Sequence, residues 1–319
     1  THAHARTHAR THARTHARIP MEARGRNCTF LAERNAFPFD QLINFHEVSH
    51  TYTVGGKIAP ISVSTALKKV SPPDGAFNGP LIIGRSLASW RSKPEHYLHS
   101  VVHGLGDKDA EAAVLKHWQL QTELGTASHL AAERLLNGVD DPVTGVVTET
   151  EQIREFLRQY DHLAPLRTEL SVYATRDGKP TIAGQLDAIF EDTRDTTGRS
   201  LTLVDFKRTD KEIGPDGPSY GKKMSGELAG RPANLHTKYS MQCHLYACLL
   251  SDLLEPGFQI ECALVKLHSS LHSYEYVPCA DLRAEASELI RRLSGGLTDQ
   301  MLGGGLVQKK RVREGEEDE

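Results

Sequence analysis

No apolar run in this chain approaches the roughly 20 residues needed to cross a bilayer; the stretch around Leu245 to Leu254 is short and contains Asp252. A soluble protein with no membrane partner is expected. Cysteine is sparse: Cys28, Cys243, Cys248, Cys262 and Cys279 are odd in number and form no CxxC pair. That scatter speaks against a disulfide framework and points to a reducing, intracellular compartment. It gives no reason to expect an iron–sulfur cluster. Positive charge is also short. The 38 Lys and Arg fall below the 41 Asp and Glu, for a net charge of −3. Without residues 1–18 and 309–319, 30 basic residues face 36 acidic ones, a net of −6. A polyanionic partner must then be held by a local basic groove or by cations on carboxylates, because the overall field repels it.

With 39% apolar residues, the 319-residue chain can bury one sizeable core, or a core plus a small accessory layer. Residues 1–20 contain a THAR repeat with no apolar periodicity and read as disordered, with Met21 a candidate native start. Residues 21–44 form a lead-in, 45–300 one catalytic domain, and 301–319 a disordered charged tail. The Arg-rich leader hints at organelle import and KKRVR at a nuclear address. Both signals are weak, so nucleus, mitochondrion and cytoplasm stay open.

Between the tails, Phe45 to Val54 followed by Gly55-Gly56 and Ile61 to Val63 reads as a hairpin with a Gly-Gly turn, and a helix follows from Thr65. Helical periodicity covers 82–91 and 108–137, with a break expected at Gly125, and then 151–160. Strands are expected at 167–175, 181–191 and 201–207, a helix at 238–254, a strand at 259–268 and a closing helix at 280–294. Strands enclosed by helices indicate an α/β fold.

Two strand-like runs, Gly184-Gln-Leu-Asp187 and Leu203-Val-Asp205-Phe-Lys207, set acids among apolar neighbours. On adjacent antiparallel strands Asp187 and Asp205 can converge on one hard divalent cation. Asp205 and Lys207 are two apart on a strand and share a face, which places a cation beside the acids. Upstream, His129 and Glu133 stand at i and i+4 on one helical face, with Thr126 a candidate N-cap. Downstream, Gln242 and Tyr246 repeat the i, i+4 spacing on an apolar helix, where buried polar groups need partners. Each motif alone has a bland reading as a strand-edge ion pair or a helix-packing polar residue. Four in one order are harder to dismiss.

GTASH, Glu169, GQLD, VDFK and QCHLY together resemble the RecB-type branch of the PD-(D/E)XK nucleases, related to lambda exonuclease and to mitochondrial genome-maintenance exonucleases. The resemblance covers roughly residues 45 to 290 and implies a central mixed sheet flanked by helices. It further implies His129, Asp187, Asp205 and the Phe206 carbonyl as ligands of one or two Mg²⁺ or Mn²⁺ ions. Lys207 would act on the attacking water or the phosphate, and Gln242 and Tyr246 would position it; Glu133 and Glu169 are accessory candidates. Lys222, Lys223, Arg231 and Lys238 are candidates for the phosphate groove, and Ser62 and Ser64 for gripping a strand end. The implied partner is DNA, single-stranded or with a free end, and the implied activity is exonucleolytic, in repair, recombination or replication. Two departures stand out: Leu186 replaces the proline of the family name, and Asp205 stands where many relatives carry Glu. The competing readings are a catalytically silent nucleic-acid-binding module and a metal-binding enzyme of other chemistry.

Overall fold

The computed structural model describes residues 28–72 and 78–295. The THAR repeat and the charged tail lie outside the described residues. A short helix α1 (Phe30–Arg34) leads into the hairpin β1 (Ile43–His46) and β2 (Thr51–Val54), then β3 (Lys57–Ile58), β4 (Ile61–Ser62) and α2 (Val63–Lys68). Helices α3 (Gly79–Ser92), α4 (His99–Val102), α5 (Asp107–Leu136) and α6 (Val147–Gln159) follow. Then come β5 (Leu163–Arg176), β6 (Lys179–Asp192), β7 (Ser200–Arg208), α7 (Leu235–Leu253), β8 (Gln259–Leu267), β9 (Glu275–Pro278) and α8 (Arg283–Gly295). The result is the expected α/β fold with a central mixed sheet flanked by helices.

Local chemistry sets most of these boundaries. Asp177 and Gly178 join β5 to β6 with φ of 51° and 69°, the left-handed pair that matches the twist of a tight hairpin. Ser62 caps α2 by accepting the Thr65 N–H at 3.2 Å, and Asn234 caps α7 by accepting the Thr237 N–H at 2.9 Å. The Gly55-Gly56 turn joins β2 to β3, while β1 and β2 close through residues 47–50. One expectation fails. Helix α5 runs unbroken through Gly125, and Thr126 bonds back to the Thr122 carbonyl at 3.2 Å instead of capping a new helix. A lone glycine weakens a helix by about 1 kcal/mol, too little to break one anchored at both ends.

Those anchors are two different cores. The N-terminal part of α5 packs Ala110 and Val114 against Ile83, Leu87, Trp90, Leu98 and Val102 of α3 and α4. Its C-terminal part packs Ala131, Ala132 and Leu136 on the sheet with Ile153, Phe156, Phe190 and Phe206. Beneath the sheet's other face lies the largest core, where Met241, Leu245 and Leu249 of α7 meet Leu170, Leu186 and Leu203. Apolar on nearly every side, α7 is buried along its length.

The sheet order is β4-β6-β7-β8-β9, with β5 along the other edge of β6. Strand β6 is therefore shared. Parallel β4 pairs with it at Ile182 and Ala183, and antiparallel β7 pairs with it from Ala188 to Glu191. Between those ladders β4 and β7 part, and the four residues Gly184 to Asp187 sit in the fork.

Candidate active site

The fork gathers the acids. Asp187 is the last residue of β6 before the β7 ladder begins, and its Oδ2 accepts the Phe206 N–H at 2.9 Å. A side chain thus occupies the place of a sheet hydrogen bond. Because N–H and C=O of one strand residue point to the same edge, the Phe206 carbonyl opens toward the same gap. From α5, His129 brings Nδ1 to within 3.2 Å of Asp187 Oδ2. His129, Glu169 and Asp187 present ligand atoms within 4.8 Å of one another, the only such group of three among the described residues. Asp205 stands outside that group and is paired with Lys207, whose Nζ lies 2.6 Å from Asp205 Oδ2.

Glu169 owes its position to backbone strain. Its φ of 46° is in the left-handed region, which a β-strand residue rarely occupies. Gln185 of the GQLD run donates Nε2 to the Glu169 carbonyl at 3.0 Å and holds that turn of the backbone. Gly184 has a separate role: a Cβ there would come within 2.7 Å of both the Tyr246 ring and Val63, so only glycine lets α7 and α2 approach β6 this closely.

On α7, Tyr239, Gln242 and Tyr246 follow an i, i+3, i+7 stripe facing Lys207. Lys207 Nζ donates to Gln242 Oε1 at 3.4 Å and lies 4.7 Å from the centre of the Tyr239 ring, and Gln242 Nε2 donates to Tyr246 Oη at 3.4 Å. Tyr239 belongs with the named residues, and its helical spacing was the signal for it. Lys238, exposed, neighbours both Lys207 and Lys68.

Charge in the site is strongly perturbed. The Asp187 charge pushes His129 up to about 9. Burial, with Asp187 beside it, pushes Glu169 up to about 8, and burial raises Asp205 to about 6 despite Lys207. Burial also opposes ionisation of Asp187, but His129, Lys207 and the Phe206 N–H outweigh it and hold that carboxyl below its usual range. Burial works against the Lys207 ammonium too, yet Asp205 and Asp187 overcome it and keep the lysine protonated well past its ordinary value.

These residues fit a divalent cation. The donor set is one imidazole and carboxylates, groups that together hold divalent metal ions. Asp205 Oδ2 is buried with no hydrogen bond, because its contact with Lys207 has the distance but not the angles of one. Without a cation, His129 and Glu169 keep their protons at neutral pH; once both are released, three carboxylates against Lys207 would leave two negative charges for one dication to balance.

Other candidates are engaged elsewhere. Ser62 is the α2 cap and bonds Ser64 Oγ at 2.9 Å; Arg231 pairs with Glu285 of α8. Lys222 and Lys223 lie exposed in the loop after β7, where Lys223 bridges Pro232. Glu133 faces the same cleft as His129 and meets the Cys28 thiol. Two short patterns also spell signatures of other classes. His46-Glu47-Val48-Ser49-His50 reads HExxH, but it runs from the end of β1 through one 3-10 turn to a left-handed His50 and not along an α-helix, so its imidazoles do not share an α-helical face. Gly217-Pro218-Ser219-Tyr220-Gly221 reads GxSxG within a loop, with no strand-to-helix elbow to expose the serine.

No family model matches the chain, and no curated protein matches it. Among solved structures it is similar to a Eubacterium rectale protein described as "Putative exonuclease", with 11% identity over 77% of this chain and 82% of that one and a TM-score of 0.32. It is also similar to SSO0001, with 12% identity over 73% of each chain and a TM-score of 0.26.

Proposed function

We propose that the protein is a divalent-metal-dependent nuclease of the PD-(D/E)XK type, in the RecB-like branch, hydrolysing phosphodiester bonds of DNA. One observation carries this reading: His129, Glu169 and Asp187 converge where β4 and β7 part, next to the ion pair between Asp205 and a largely buried, protonated Lys207. His129, Asp187 and Asp205 would hold Mg²⁺ or Mn²⁺, with Glu169 and the Phe206 carbonyl as further oxygens. Such a cation, when bound, polarises the phosphodiester and lowers the pKa of water.

The chain's own groups have separable roles. Lys207 stays cationic at neutral pH, so it acts as a fixed positive charge and proton donor toward the phosphate, not as a base. Gln242 orients it by accepting its hydrogen bond at Oε1. Tyr246, raised above its ordinary value by burial, keeps its hydroxyl proton and can donate it toward the substrate. Lys238, near both Lys207 and Lys68, adds positive charge beside the lysine of the site. An exonuclease working in repair, recombination or replication is the biological role this reading favours.

The test is cleavage of end-labelled linear and circular DNA with Mg²⁺ and with Mn²⁺, beside a Lys207→Ala control. Metal-dependent cleavage lost in the control supports the reading. Binding without cleavage under every condition would instead indicate a silent nucleic-acid-binding module.

A further inference from the structure

On the nuclease reading above, we infer that the cavity running from the fork to the β1–β2 hairpin is a nucleobase site. In it Phe45 stacks on an unpaired base, so the strand must be single-stranded next to the bond that is cut.

The cavity measures about 950 Å³ and joins His129 and Glu169 at its inner end to Phe45 and Glu47 of the hairpin. That is more than enough room for one nucleoside. Its charge is wrong for a phosphate. Glu47, Glu133 and Glu169 line it, and its one guanidinium, Arg167, is already bound to Asp40 at 2.7 Å. Positive charge lies on α2, β7 and α7, as Lys68, Lys207 and Lys238. A nucleotide chain at the fork would therefore keep its backbone on the lysine side and turn neutral groups toward the cavity.

The cavity offers an aromatic face for those groups. Phe45 and Tyr52 are cross-strand partners stacked at 4.7 Å, with His50 tilted against Phe45 at 5.9 Å. Phe45 lines the cavity and Tyr52 does not, so Phe45 is the ring a ligand meets and Tyr52 backs it. Tyr52 also reaches the candidate centre, since burial and the Glu169 charge push its hydroxyl up to about 12. Thr122, Gly125 and Thr126 of α5 line the same cavity, and a Cβ on Gly125 would meet nothing within 4 Å. An aromatic ring and a bare stretch of helix thus line one slot with room for a planar ligand. Stacking reads every base alike but requires that base to be out of a duplex.

Binding is read by fluorescence of 2-aminopurine in a single-stranded oligonucleotide with Ca²⁺, and cleavage separately with Mn²⁺. The parent should quench the probe and bind it more tightly than an abasic oligonucleotide of equal length. Phe45→Ala should weaken binding of the probe by about tenfold, the usual scale for one lost base–aromatic stack, and leave the abasic oligonucleotide unaffected. Gly125→Leu, which fills the slot from a wall with open space and improves helix propensity, should do the same without lowering the melting temperature. Absence of quenching in the parent overturns the inference, as does equal loss on both oligonucleotides or no loss in either variant. Quenching that depends on Phe45, with no cleavage of any substrate in Mn²⁺, would retain the base site and reject the nuclease.

Discussion

Lys207 and Arg208 are neighbours on β7 and each pairs with a buried carboxylate, but the two pairs are built differently. Arg208 donates Nε to Glu149 and a terminal nitrogen to Gln121, both at 2.8 Å, and the two charged side chains are 6% and 1% exposed. That pair is closed: its geometry is good and neighbouring groups complete it. Lys207 meets Asp205 at 2.6 Å, yet Asp205 Oδ2 has no hydrogen bond and the lysine's bond to Gln242 is long at 3.4 Å. A buried charge left incomplete costs stability, so a fold keeps one where something else completes it. Side chains at adjacent strand positions face opposite sides of the sheet, which lets one strand carry a structural pair and a working pair without interference.

The sharpest way to break this comparison is at Lys207. Lys207→Ala should lower cleavage by about 10²-fold or more, the scale of losing one preorganised electrostatic donor. Folding and DNA binding should persist, and unchanged turnover would remove the lysine from the mechanism. The reverse is expected at the closed pair. Glu149→Ala strands the Arg208 guanidinium and should cost about 3–5 kcal/mol of unfolding free energy by denaturant titration, with activity per folded molecule retained. A cost under 1 kcal/mol would mean that this pair is not structural.

Gly184→Ala should come next, at about 1–3 kcal/mol, because the added methyl displaces Tyr246 or Val63 from 2.7 Å contacts. Cleavage should fall with it as the Tyr246–Gln242–Lys207 chain shifts; a variant as stable and active as the parent would show that α7 has slack. Asp205→Asn should melt in chelator no lower than the parent, since burial costs the Asp205 charge more than its pairing with Lys207 returns and Asp187 still faces the lysine. Millimolar Mn²⁺ should raise the melting temperature of the parent and much less that of the variant. A destabilised variant that keeps its metal shift would make Asp205 structural.

The smallest effect concerns pH. In chelator, Glu169 at about 8 and His129 at about 9 are both raised above their ordinary values of 4.5 and 6.5. A raised group contributes stability that is present below its unfolded pKa and lost as pH passes its folded one. The chelated protein should therefore lose stability from about pH 4.5 to 9, most steeply between 6.5 and 8 where both groups contribute, and Glu169→Gln should flatten the slope below pH 8. A rise in melting temperature over the interval would contradict the assigned charges.

How much of this could be read along the chain depends on distance in sequence. The Asp205–Lys207 pairing follows from the two-residue period of a strand, and the Gln242–Tyr246 contact from the helical turn, so both were legible. Gly125 was misread as a break, because the residues that hold α5 straight lie in two separate cores. Arg231 and Ser62 were plausible groove residues until Glu285 and the α2 backbone were found to engage them. Glu169 could be named but not placed, since its left-handed backbone and its hold by Gln185 arise between strands.

The sequence by itself determined the α/β class, the positions of the long strands and of α7, and which acids and lysine share a face, because alternation and capping are set within a few residues. Only the tertiary structure decided that β4 and β7 part at Gly184 to Asp187, that Glu169 joins His129 and Asp187, and that an acidic, aromatic-walled cavity opens from them. Where a ladder ends and which charges are completed by neighbours depend on contacts between segments up to a hundred residues or more apart, as in the Asn137–Leu31 and Gln152–His268 bonds. Local pattern carries no record of those contacts.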